Sequence, residues 1–291
     1  MPYVYLILSV FCMASASVLG GYYNRRTAKY KGATSLFNFI RMLATLVCWC
    51  VFFVFDCSFN LDVLLYSLFF GLSFAVCVIC TLHALKHGSV ALTSLFMQAS
   101  LIGVTIWGII FWNAKFTPLV CIGLVLVTIG IALCILDKKT GENNSKGISL
   151  KWLIFATLMF LTNAVCSIMQ REQQIRYSGQ HGSLLMVGVT AIATAVCFVI
   201  WKKDETTDFK VILKKDWVWP VFAGVGNFLL NVFVILLATS YLSSSLIYPV
   251  LSVCGLFVTT MFSLFAFKEK LKWWQWVGFV IGTVAIALLN L

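Results

Sequence analysis

Two stretches decide the fold: GLSFAVCVICTLHALKHGSVALTSLF at 71–96 and GVGNFLLNVFVILLATSYLSSSLIYP at 224–249. Each is a long apolar run, a short polar turn and a second apolar run. A further pair follows them in the same order, IGLVLVTIGIAL at 122–133 and VGFVIGTVAIAL at 277–288. The pattern therefore recurs after about 155 residues, which makes the second half a copy of the first.

Working outward, the apolar runs are close to twenty residues long, the length that crosses about 30 Å of hydrocarbon as helix, and they lack the alternation of barrel strands. The chain of 291 residues is 61% hydrophobic and 11% charged, with a mean hydropathy of +0.98. Too little polar surface remains for a water-soluble enzyme, a secreted domain, a coiled coil or a disordered tail. Ending each run at its charges, glycines or aromatic girdle predicts ten spans: Tyr3 to Gly21, Thr34 to Phe55, Leu61 to Leu82, Ser89 to Trp112, Pro118 to Leu136, Leu150 to Gln170, Gly182 to Trp201, Trp217 to Ala238, Ser243 to Phe267 and Trp273 to Leu291. The reading is an all-α membrane protein with ten transmembrane helices as two five-helix repeats. Residues 1–137 form the first repeat, 138–149 a cytoplasmic linker and 150–291 the second. Five is odd, so the second copy crosses in the opposite sense, the plan of an inverted-repeat transporter with its site between the repeats. The two charge-rich connections, DKKTGENNSKGISLK at 137–151 and KKDETTDFKVILKKD at 202–216, read as solvated loops.

The net charge of +11 lies mostly in short connections, so it reports topology and not nucleic-acid binding. Of the 21 Lys and Arg, all but Lys115, Arg171, Arg176 and the in-span Arg41 fall on one side. That side is predicted to be cytoplasmic, with both termini outside and the plasma membrane as the location. Trp152, Trp201, Trp217, Trp219, Trp273, Trp274 and Trp276 neighbour its lysines and read as an interfacial belt; Trp49 and Trp107 lie deeper. The 11 cysteines sit almost entirely inside spans and read as small buried apolar residues, with no disulfide framework. The first run ends in Ala14-Ser15-Ala16 but has no basic n-region before it, and reads as an uncleaved span.

The chain resembles the EamA branch of the drug/metabolite transporter superfamily. The residues that carry the likeness are ALKHGSVALTSLF with WNAKFTPLVCIGLVLVTIGIAL in the first half, and ATSYLSSSLIYP with FAFKEKLKWWQWVGFVIGTVAIALLNL in the second. The resemblance implies ten helices in two inverted repeats, a central cavity, and transport, usually export, of small metabolites or amino acids. The chain departs from the family pattern at the mid-helix proline of the fourth span, replaced by Leu101-Ile102-Gly103 and by Cys254-Gly255, while Pro249 offers a different break.

Candidate contacts are the polar and aromatic groups at membrane depth. Arg41 stands about two turns into the second span, where a cation costs about 2.5–3.5 kcal/mol unless it meets protein or water. Either it attracts a substrate carboxylate or phosphate, or it snorkels to the nearby surface. Asn38, one turn earlier, shares its face. Gln98, Asn163, Asn227 and Asn231 are the in-span amides offered as hydrogen-bonding residues, and Tyr248 and Trp107 as aromatic wall; interhelical hydrogen bonds would account equally well for such amides. Cys77, Cys80, His83 and His87 lie along one broad face, but a single straight helix cannot wrap four ligands around an ion, so no metal and no cofactor is expected. Gly278 and Gly282 form a GxxxG pair suited to close packing within the monomer. All ten carboxylates fall at span ends or in connections.

The reading is a secondary transporter of a small organic metabolite, an amino acid or similar solute for export, working by alternating access. It is not an enzyme, its partners are a small-molecule substrate and the bilayer, and it is a monomer or weak homodimer. The alternatives are an importer or exchanger of choline-like or nucleotide-linked solutes, and a structural or lipid-scrambling protein.

Overall fold

The structure is a computed structural model that describes residues 2–56, 58–112, 117–135, 149–177, 180–204, 209–238, 244–268 and 273–289. Apart from Ser149, the linker expected over 138–149 lies outside them, as do the side chains of 244–250, Tyr248 included.

Every regular element among the described residues is a helix: α1 Pro2–Arg26, α2 Ala33–Asp56, α3 Leu61–His87, α4 Val90–Ala99, α5 Leu101–Phe111, α6 Pro118–Ile135, α7 Leu150–Arg176, α8 Gly182–Lys203, α9 Phe209–Asp216, α10 Val218–Ala238, α11 Ser244–Phe267 and α12 Trp273–Leu289. Helices are what an unbroken apolar run must form in lipid, because each backbone amide then finds its partner within the segment. Seven are long and apolar enough to cross a membrane, with α4 and α5 together making one of them; shorter apolar helices occupy 118–130, 251–266 and 276–285. The protein is thus an all-α, multi-span membrane protein.

Several helix starts are set by single polar side chains. Asn60 accepts from the amides of Asp62 and Val63, Ser89 from Leu92 and Ser149 from Trp152, each satisfying a first-turn N–H that has no partner inside its helix.

Two features depart from the sequence reading. The fourth span is broken at Ser100, where Ser100 N bonds Met97 O at 3.3 Å and Gly103 N bonds Ser100 O at 3.0 Å, a local tightening to i→i+3 bonds without proline. The connection after α8, expected to be solvated, folds into α9 over Phe209–Asp216. It buries Ile212 among Tyr23, Leu36, Phe37 and Leu85 while keeping Lys210, Lys214 and Lys215 exposed.

The helix pairings have a formal symmetry. α1 packs on α10 as α7 packs on α3; α2 packs on α10 as α8 packs on α3; α2 meets α8, and α6 meets α12. Exchanging the halves maps this set onto itself. The α6–α12 contact is made by glycines: a Cβ on Gly130 would stand 2.8 Å from Gly278 O and 3.0 Å from Gly282 N, so backbone touches backbone. The GxxxG pair therefore packs within the monomer.

Of the tryptophans assigned to an interfacial belt, Trp152 is not at the surface. It is 1% exposed, stands against Gly88, and donates through Nε1 to Thr93 Oγ1 at 3.0 Å.

Candidate functional site

One stripe of α2 carries Asn38, Arg41, Thr45 and Trp49, spaced three or four residues apart and so on one face of the helix. All four are buried, Arg41 with 7% exposure. The backbone of α10 approaches that face closely, since a Cβ on Gly224 would stand 2.5 Å from Arg41 O, and Thr45 Oγ1 donates to Gly224 O at 3.0 Å. Trp49 meets Phe228 of α10 edge-on at 5.0 Å. Three polar atoms of the stripe have no hydrogen-bond partner among the described residues: Asn38 Oδ1, Arg41 Nε and Trp49 Nε1. Buried polar groups normally have partners, and leaving one bare costs about 1–3 kcal/mol, so three on one helix face make this stripe the candidate site.

A snorkelling arginine exposes its guanidinium, and Arg41 is enclosed. Its neighbours of electrostatic consequence are the thiols of Cys77 on α3 and Cys197 on α8, and among the described residues no carboxylate pairs with it.

The other expected contacts fall in three places. Asn227 and Asn231 are half-buried on α10, three and seven residues beyond Gly224 and hence on the side turned to α2; Asn231 Nδ2 donates to Asn227 O at 2.8 Å. Gln98 on α4 donates to Met13 Sδ at 3.6 Å, and Met13 lies against Gly255 of α11, so Gln98 belongs to a separate α1–α4–α11 contact. Ser94, one turn earlier, is buried with Oγ unpaired. Asn163 on α7 is committed to structure: Nδ2 donates to Ser100 Oγ at 2.7 Å and to Met97 O at 3.2 Å, and Cys77 Sγ donates to Oδ1 at 3.7 Å. Trp107 is 37% exposed, stacks on Phe111 at 4.1 Å and shares an exposed apolar face with Ile106 and Ile110, as a lipid-facing ring would. Tyr248 lies outside the described side chains.

Trp49 and Thr45 were not among the expected contacts. Their spacing from Asn38 and Arg41 was the available signal, since 38, 41, 45 and 49 follow the helical period. His83 and His87 both stack on Phe155, at 4.9 and 6.2 Å, while Cys77 turns to Asn163, so the four residues of that motif do not converge. Among the described residues no group of three or more His, Cys, Asp or Glu is placed to hold a metal.

A buried, uncompensated cation between apolar helices suits a protein that takes a polar solute through lipid. The EamA-like transporter family profile matches residues 1–136 and 150–291. The chain belongs to the EamA-like transporter family. It is thus a small-molecule membrane transporter and not an enzyme. No curated protein sequence matches this EamA-like chain. A solved structure described only as "Crystal structure of protein" is similar in fold, with a TM-score of 0.60 over 96% of this chain and 95% of that one, at 11% identity.

Proposed function

We propose that this EamA-like protein is a secondary transporter of a small zwitterionic metabolite, an amino acid or close relative, exported by alternating access through two inverted five-span repeats. The observation that carries the solute class is the pairing of Arg41 Nε, a free donor on a cation, with Asn38 Oδ1, a free acceptor one turn away. A carboxylate complements the first and an ammonium the second. Asn227 and Asn231 supply hydrogen bonds from the facing helix, and Trp49 an indole N–H. The repeat architecture is supported by helix pairings that exchange when the halves are exchanged, and by family matches on both sides of residues 137–149. The lysine-rich side is the cytoplasmic one, which puts both termini outside the plasma membrane.

The test is counterflow in proteoliposomes loaded with neutral amino acids, choline or nucleotide-linked solutes. Amino-acid exchange that is lost in Arg41→Ala, with unchanged protein yield, is the expected result. Exchange of choline, undiminished in Arg41→Ala, would replace this reading with the importer or exchanger alternative. No exchange of any solute, alongside rapid lipid flipping, would point to scrambling.

A further inference from the structure

The pairs α1–α10 and α7–α3 run antiparallel in similar registers, and an acid and a base stand near the end of each. Along α1 and α10 the matched positions are Tyr5 with Phe233, stacked at 5.8 Å, Ser15 with Gly226, Tyr22 with Trp219 at 4.7 Å, and finally Arg26 with Asp216. Along α7 and α3 they are Trp152 with Gly88, Phe155 with His83, Asn163 with Cys77, and Met169 O accepting from Tyr66 OH at 3.0 Å. The register of Phe155 with His83, carried along both helices, sets Asp62, in the first turn of α3, opposite Arg176, the last residue of α7, whereas that of Met169 with Tyr66 sets it opposite Gln173, one turn before Arg176. Tyr66 already lies within electrostatic reach of both Glu172 and Arg176 of α7.

The two ends are in different states. Arg26 Nε meets Asp216 Oδ1 at 2.6 Å, with Asp216 buried and the arginine steadied by Tyr22 OH at 3.2 Å. Behind this pair Tyr23, Phe37 and Ile212 are closed to solvent. Ser35 on α2 donates to Asp204 at the end of α8, a second tie across the same end. At the opposite end Asp62 and Arg176 are exposed and form no ion pair among the described residues, and Phe59, Leu61 and Ile175 near them in sequence are 56–67% exposed.

We propose that the two ends carry matched ion-pair latches that close in alternation: Arg26 with Asp216 in the conformation seen here, and Arg176 with Asp62 in the opposite one. The proposal deepens the alternating-access reading and rests on it. Each latch draws the end of the first helix of one half onto the start of the third helix of the other, so closing one end and opening the other are one motion. The near-identical chemistry of the two pairs keeps the two states close in free energy, which a reversible carrier requires.

Hydrogen–deuterium exchange of the full-length protein in nanodiscs, without solute, tests it. Asp216→Asn is expected to speed exchange at residues 20–27 and 218–222 by at least about fivefold, and to slow it at 60–66 and 170–176. Asp62→Asn, at an exposed site that does not threaten folding, is expected to slow exchange at the first pair of segments. Exchanging the charges, Arg26→Asp with Asp216→Arg, is expected to restore the wild-type pattern. Loosening by Asp216→Asn confined to its own end, or an Asp62→Asn protein indistinguishable from wild type at the far end, would overturn the proposal. Counterflow separates the two readings: transport with no reciprocal exchange sinks the latch alone, and reciprocal exchange with no transport sinks the solute assignment.

Discussion

Asn163 on α7 donates to Ser100 Oγ at 2.7 Å, at the residue where the fourth span breaks into α4 and α5. Its second bond, to Met97 O at 3.2 Å, adds a donor from another helix to a carbonyl that already accepts from Ser100 N and Ser100 Oγ at the break. The break is thus held from a neighbouring helix, where a proline would have held it from within. Asn163→Ala is expected to cost about 0.6–2 kcal/mol, seen as a fall of roughly 2–6 °C in apparent Tm in detergent. An unchanged Tm would show that the break maintains itself.

Arg41→Lys keeps a charge but loses the planar fork and the Nε donor. If a carboxylate is bound there, KM for the solute should rise about tenfold or more while the maximal rate falls less. Identical kinetics would mean that Arg41 serves the solute only as a distant charge.

Trp49→Phe removes the unpaired Nε1–H while keeping a ring against Phe228 and Phe52. Stability should hold or rise slightly, since a buried bare donor is a cost. A raised KM with unchanged Tm would place the indole N–H on the solute; a lowered Tm would assign Trp49 to packing.

Glycine positions should separate by what a methyl group meets. Gly130→Ala forces a Cβ to 2.8 Å from the backbone oxygen of Gly278, which cannot swing aside, and should lower Tm by several degrees. Gly182→Ala has nothing within 4 Å to meet and is expected to be neutral. Equal thermal shifts for the two variants would contradict the backbone contact between α6 and α12.

Coupling follows from where the acids lie. Proton-driven antiport of a cation uses a carboxylate at membrane depth that exchanges proton for substrate. Here all ten carboxylates fall at span ends or in connections, Asp62, Asp204 and Asp216 among them. An imposed pH gradient without membrane potential should therefore not concentrate solute in proteoliposomes. Uphill uptake that persists in His83→Gln would reveal a coupling group elsewhere.

The long apolar runs made the helices legible from composition and length, because a segment in lipid has few alternatives to helix. Arg41 was legible as an anomaly for the same reason: a charge in such a run demands an explanation. The Ser100 break was not legible, since no proline marks it and the amide that bonds there belongs to Asn163, 63 residues away. The helix at 209–216 was hidden by its lysines, although Phe209 and Ile212, three residues apart, gave a short apolar face. Asn163 and Gln98 stood out in sequence as amides inside apolar runs, but sequence cannot say which amide faces a solute and which bonds to another helix, as both do here.

The glycine contact between α6 and α12 has a mechanical consequence. At Gly130, where the two helices touch through backbone, no side chain has to leave one rotamer for another when the angle between them changes, yet the separation cannot shrink. Such a contact behaves as an axle. The last helices of the two halves would stay together at one line while the remaining helices swing about it, and the cost of motion would fall on the side-chain contacts at the two ends.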